Sequence, residues 1–148
     1  MSDLKARILE ETKAAMKARD KARLAVLRLM NSELKRVEVD ERRELSDEDV
    51  LDILTRMLKQ RRDSLSQFEA AGRKDLADQE SYEIQLVEAF MPAAMSEADI
   101  EALVDRVVNE TGATGMQDMG RVMGAVKAVL TGRADMAVVS AKVKARLG

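Results

Sequence analysis

The 148-residue sequence has no cysteine, no histidine and no tryptophan, a single proline, two phenylalanines and one tyrosine. The first two absences remove whole classes of chemistry. The usual Cys/His zinc sites, thiol nucleophiles, Ser-His-Asp triads and a disulfide framework all need residues the chain does not have. The carboxylates that could still hold a metal are scattered along helix faces without calcium-loop spacing, so neither a metal nor a cofactor is expected. An excess of one charge sign is also missing: 25 Lys and Arg against 27 Asp and Glu give a net charge of −2. Neither a polycation nor an acidic disordered chain is indicated, and any basic surface has to be local. Long apolar runs are absent too. The opening MSDLKARILEE is charged from its third residue and has no apolar h-region. No stretch approaches the roughly 20 apolar residues of a membrane span. A cytoplasmic protein without membrane association is the expectation.

What is present is helix-forming. Ala, Leu, Glu, Lys and Arg dominate and no segment alternates with period two, so the fold class expected is all-α. A first helix is predicted from Ser2 or Asp3 to about Arg19, with Leu4, Ile8, Ala15 and Met16 on one side. A second, from about Lys21 to Val37, is apolar around much of its circumference through Leu24, Val26, Leu27, Leu29, Met30 and Leu34, which suits the middle of a bundle. Ser46 caps a third at SDED, where acidic residues complement the helix dipole, and Gly72 stops it after Ala71. The fourth runs from about Asp75 to Met91 and ends at Pro92. Ser96 opens a fifth through SEAD, which closes at Thr111-Gly112; two more are expected over about 117–130 and 135–147. The segment Met91–Ser96 is the natural boundary. Residues 1–92 should form an elongated N-terminal helical bundle and residues 96–148 a small three-helix domain.

Two charges fall in apolar stripes. Val50, Leu54, Met57, Leu65 and Phe68 share one face of the third helix, and Arg61 lies within it; on the fourth, Glu83 sits in the arc of Leu76, Ile84, Val87 and Phe90. The turn at Gly72 makes the two helices antiparallel and brings Arg61 opposite Glu83, or Glu80, as a partly buried ion pair. Without a nucleophile or a metal such a pair fixes hairpin register rather than doing chemistry. Lys59-Gln60-Arg61-Arg62 otherwise reads as solvated surface.

The second half hides a charge separation. Glu97, Asp99, Glu101, Asp105 and Glu110 face only Arg106 up to residue 110, after which Arg121, Lys127, Arg133, Lys142, Lys144 and Arg146 face Asp118 and Asp135. A modest basic surface on the last two helices follows. In DMGRVMGAVKAVLTGRAD, the residues Met119, Val122, Met123, Val126, Val129 and Leu130 form the apolar face, while Gly120, Gly124 and Ala128 lie opposite, between Arg121 and Lys127. Each helix-interior glycine costs roughly 1 kcal/mol relative to alanine. Two readings account for them: a helix or subunit packs against the bare strip, or an anionic ligand such as an RNA backbone approaches it while the cations meet phosphates. GATGMQDMG is not a phosphate loop, since no Gly-Lys-Ser/Thr follows it. Gly132 reads as a helix stop and Asp135 as a cap, leaving Arg133 as the member of GRAD without a conformational role.

KQRRDSLSQFEAAGRKDLADQE, the MP…SEADIEALV junction and GATGMQDMGRVMGAVKAVLTGRAD together resemble the GatB/YqeY family over essentially the whole chain. The family comprises small stand-alone YqeY-like proteins whose second half is similar to the C-terminal tail of the B subunit of the tRNA-dependent amidotransferase. The resemblance implies an all-helical, two-domain protein. It also implies a tail that helps hold misacylated tRNA while phosphorylation and amide transfer occur elsewhere in the enzyme. Gly120, Arg121, Gly124, Lys127, Gly132, Arg133 and Asp135 fall in the tail-like motif and become candidates for an RNA-facing surface. The chain departs from the amidotransferase in having no ATP-binding cradle and no amidase Ser-Ser-Lys machinery. The expectation is an accessory protein that binds tRNA or another structured RNA through residues 96–148, with no catalytic residue of its own. The alternatives are a non-catalytic component of glutamine-dependent carbon-nitrogen ligation on aminoacyl-tRNA, and a protein-protein adaptor that uses the N-terminal bundle.

Overall fold

Every ordered stretch of the computed structural model, which describes residues 2–148, is helical: α1 (Asp3–Lys17), α2 (Lys21–Glu41), α3 (Asp47–Ala70), α4 (Lys74–Glu88), α5 (Glu97–Thr111), a 3-10 turn (Met116–Asp118), α6 (Met119–Leu130) and α7 (Met136–Leu147). No strand occurs among the described residues, so the all-α class read from composition is the class observed. The chain divides into two compact units, Met1–Met91 and Pro92–Gly148.

Short polar side chains set the helix starts. Ser46 Oγ accepts the Asp49 N–H at 3.2 Å and Asp49 Oδ2 accepts the Ser46 N–H at 2.9 Å, a reciprocal capping box that opens α3. Ser96 Oγ accepts the Asp99 N–H at 3.2 Å to open α5, and Asp135 Oδ1 accepts the Ala137 N–H at 2.9 Å to open α7. The α3 end is a Schellman motif: Gly72 takes φ +69°, its N–H bonds Glu69 O at 3.1 Å, and the Arg73 N–H bonds Phe68 O at 2.9 Å. That turn folds α4 back along α3.

Each unit has its own core. In the first, Ile8 of α1, Val26, Leu27, Met30 and Leu34 of α2, Leu54 of α3 and Val87 of α4 are all nearly water-free. The α2 helix touches α1, α3 and α4, which explains its apolar circumference. In the second, Ile100, Val104 and Val107 of α5 meet Val122, Val126 and Leu130 of α6 and Val139 and Val143 of α7. Removing the side chain of a fully buried leucine from either core costs about 2–5 kcal/mol, so these residues and not the glycines hold the units together.

Several boundaries differ from expectation for local reasons. The α4 helix stops at Glu88 rather than Met91, because Met91 precedes Pro92 and is steered away from helical backbone; Phe90 reaches the core from the turn. The α2 helix runs on to Glu41, since nothing between Val37 and Glu41 terminates it, and it ends with Arg42 at φ +53°. Met16 and Val129, expected on apolar faces, are 52% and 41% exposed. Both lie at the margin of their stripes, where the wheel gives the weakest guide to burial.

Candidate nucleic-acid interface

The outer face of α6 is built from Gly120, Arg121, Gly124, Lys127 and Ala128, all exposed, while Val122, Val126 and Leu130 anchor the opposite face with no exposed surface. A Cβ placed on Gly120 or on Gly124 would meet nothing within 4 Å. The first reading of these glycines, close packing of a neighbouring helix or subunit, therefore finds no helix against them among the described residues of the second unit. Their absent side chains leave bare helix backbone open to whatever approaches from outside.

The three candidate cations are not equivalent. Lys127 is exposed and has no partner among the described residues. Arg121 Nη2 lies 2.9 Å from Asp118 Oδ1. Asp118 also accepts the Thr114 N–H at 3.0 Å. This bond is the main cause holding its carboxyl below the ordinary value, with Arg121 adding to the effect. The Asp118 clamp ties the GATG loop to the start of α6 and aims Arg121; its sequence signal is the Asp-x-x-Arg spacing at i, i+3. The expectation that Arg133 lacks a conformational role is corrected by the structure. Its Nε donates to Ala93 O at 3.2 Å and its carbonyl accepts the Met95 N–H at 3.0 Å, so it straps the segment 93–95 to the turn after α6. Gly132 in that turn has φ +77°, a conformation that suits glycine.

The modest basic surface expected on α6 and α7 is narrower still. Lys142 meets Glu101 at 3.1 Å and Arg146 meets Asp105 at 2.9 Å, so acidic residues of α5 neutralise two cations of α7 across the helix interface. Sequence could assign both charge blocks but not their mutual facing. What remains is Lys144 of α7, exposed and without a side-chain partner among the described residues, and on α6 a backbone strip edged by the unpartnered Lys127 and one oriented arginine.

In the first unit, Arg61 Nε lies 3.3 Å from Glu83 Oε2, with both side chains mostly shielded from water. Glu80, the other candidate, is not bonded to Arg61. Its Oε2 is buried without a hydrogen-bond partner, and its pKa is raised, first by burial and then by the charge of Glu83, against the pull of Arg61. Lys59 is exposed and Arg62 pairs with Glu88 at 2.6 Å, as a solvated surface would. Among the described residues no three metal-ligating side chains converge, and no helix is long and apolar enough to cross a membrane.

Comparison with known proteins adds the family. The family described as Yqey-like protein matches residues 5–147. Curated proteins similar to the chain include "Altered inheritance of mitochondria protein 41, mitochondrial" of Eremothecium gossypii, 35% identical over 71% of this chain and 57% of its own length. The protein of the same name from Lachancea thermotolerans is 33% identical over 73% of this chain and 59% of its own length. That of Pyrenophora tritici-repentis is 25% identical over 96% of the chain and 80% of its own length. The chain thus spans under two thirds of the first two relatives. These names overturn the cytoplasmic expectation, since they point to mitochondria instead. The physical reason is that a missing apolar h-region argues only against a secretory signal, whereas mitochondrial addresses are amphipathic and Arg-rich.

Proposed function

The chain belongs to the YqeY-like family, and from that premise we propose that it is an accessory protein that binds structured RNA, tRNA first among the candidates, through the outer face of α6. The observation that carries the reading is the open space over Gly120 and Gly124 beside an unpartnered Lys127. Gly124 in the interior of α6 sacrifices about 1 kcal/mol of helix propensity, Gly120 in the first turn less, and among the described residues of the second unit no packing recovers it. A sugar-phosphate backbone suits such a strip: it needs close approach to flat main chain, a point charge from lysine and a forked donor from arginine, and it carries no demand for a deep pocket. Arg121, prealigned by Asp118, is the forked donor; Arg133 holds the turn beneath.

The test is binding of the full chain to bulk tRNA across a salt series. Lys127→Ala with Arg121→Ala should lower the slope of log affinity against log salt by roughly 0.7–0.9 for each phosphate no longer neutralised. Gly124→Leu should block the strip while raising helix stability by up to about 1 kcal/mol. Unchanged tRNA binding by the leucine variant would reject the strip as the binding surface.

A further inference from the structure

The turn between α1 and α2 breaks two local rules at once. The α1 helix ends in the same Schellman hydrogen bonds as α3: the Arg19 N–H bonds Met16 O at 3.1 Å and the Asp20 N–H bonds Ala15 O at 3.1 Å. At Gly72 the left-handed seat of this motif is filled by glycine; here it is filled by Arg19, at φ +56°. A Cβ in that seat is strained, so arginine weakens the turn relative to glycine. Two residues on, Lys21 occupies the first position of α2, which has no acidic residue in its first turn. A cation there opposes the positive end of the helix dipole.

The dipole of α1 accounts for part of this: Lys17 and Arg19 sit at its negative end, where cations are favourable. It does not account for Lys21, nor for an arginine where glycine would serve the turn better. The other left-handed arginine, Arg42, has neighbouring acids in Asp40, Glu41 and Glu44. At the α1–α2 turn the only acid is Asp20, whose Oδ1 caps α2 by accepting the Arg23 N–H at 3.1 Å, and its single charge leaves the three cations of the turn in excess. Arg23 itself pairs with Glu11 at 2.8 Å. Lys17, Arg19 and Lys21 are therefore exposed together with no partner among the described residues. Local stability is given up at this turn and positive charge is concentrated in return, the pattern of a site kept for function.

We propose that the α1–α2 turn is a second RNA-binding surface, in which Lys17, Arg19 and Lys21 meet phosphates of the same structured RNA; the choice of partner rests on the RNA-binding reading above. A turn bearing separate exposed charges suits a phosphate backbone. A membrane-lying amphipathic helix would present a broad apolar face, whereas α1 commits Ile8 and Ala15 to the core and shows solvent Leu9 and Met16, 39% and 52% exposed; purely electrostatic binding to anionic lipid is the outcome the vesicle arm of the experiment tests. A protein partner of ordinary affinity would centre on a large aromatic or arginine anchor in a cluster of apolar side chains, and beside the exposed Met16 the turn has no aromatic residue.

The experiment compares the full chain with Arg19→Gly/Lys21→Gln in tRNA binding across a salt series, alongside thermal melting. The expected result is opposite motion of the two readouts: the melting temperature rises, because glycine relieves the left-handed seat and glutamine removes the dipole clash, while the salt slope falls by roughly 0.7–0.9 for each phosphate left without its cation. Arg19→Lys should preserve binding. Unchanged tRNA binding in the double variant overturns the proposal, as does weaker binding with a lower melting temperature, which would make the turn structural. Loss of binding to vesicles of anionic phospholipid with tRNA binding intact overturns it in favour of a membrane surface. The two surfaces separate cleanly. If Lys127→Ala/Arg121→Ala abolishes tRNA binding and the turn variant does not, only the present proposal fails; the converse removes only the α6 surface; no binding by the unaltered chain removes both.

Discussion

Glu80 carries the least comfortable atom in the first unit, a buried carboxylate oxygen without a hydrogen-bond donor, beside Glu83. Because its pKa is raised in the folded chain, the fold favours the protonated acid. The stability linked to it is therefore present below the ordinary glutamate range and is lost as pH rises through the raised value. Glu80→Gln should then stabilise the protein at pH 7 by on the order of 1 kcal/mol, the low end of the cost of a buried acceptor left unpaired. In urea melts the advantage should shrink toward pH 4. An advantage equal at both pH values would locate the strain elsewhere. Arg61 and Glu83 show what sequence can and cannot say at this scale. Their position in apolar stripes marks them as a pair, but the choice between Glu83 and Glu80 depends on side-chain rotamers across α3 and α4, which no wheel encodes.

The helix caps are legible because each is a local chemical motif. Ser46 and Asp49 satisfy each other's backbone, and Asp49 is held below the usual carboxylate range chiefly by Arg43, which reaches it at 2.6 Å. Ser46→Ala should cost about 1 kcal/mol, read as a lower urea midpoint with an unchanged slope. Since the folded pKa of Asp49 is depressed, its contribution is complete above the ordinary carboxylate range and is lost as pH falls below it. The wild-type and alanine chains should converge in acid. Where a helix end has no such motif, as at Glu41, the sequence pattern stops short of the true boundary. The glycine helix falls between these cases: its apolar face is readable from spacing, whereas the emptiness over Gly120 and Gly124 requires knowing that no other helix lies there.

Two separate cores mean that damage to one should leave the other standing. Leu27 and Leu130 are both fully buried, in the first and second unit respectively. Leu130→Ala should cost about 2–5 kcal/mol and strip amide-exchange protection from α5, α6 and α7 while α1–α4 keep theirs; Leu27→Ala should do the reverse. Uniform loss of protection across the chain in either variant would mean that the units unfold as one. For the whole molecule, the all-helical class is readable without coordinates, because composition and a 3.6-residue apolar period act locally, and so is the family, because its motifs are contiguous strings. Which charges are free follows from the packing of the helices. Lys142 and Arg146 of α7, which looked available, are neutralised by α5, Arg133 is bound to backbone 40 residues away in sequence, and Lys17, Arg19, Lys21, Lys127 and Lys144 keep their charge for solvent or a ligand. Charge pairing depends on distances between segments remote in the chain, and those distances exist only once the helices have packed.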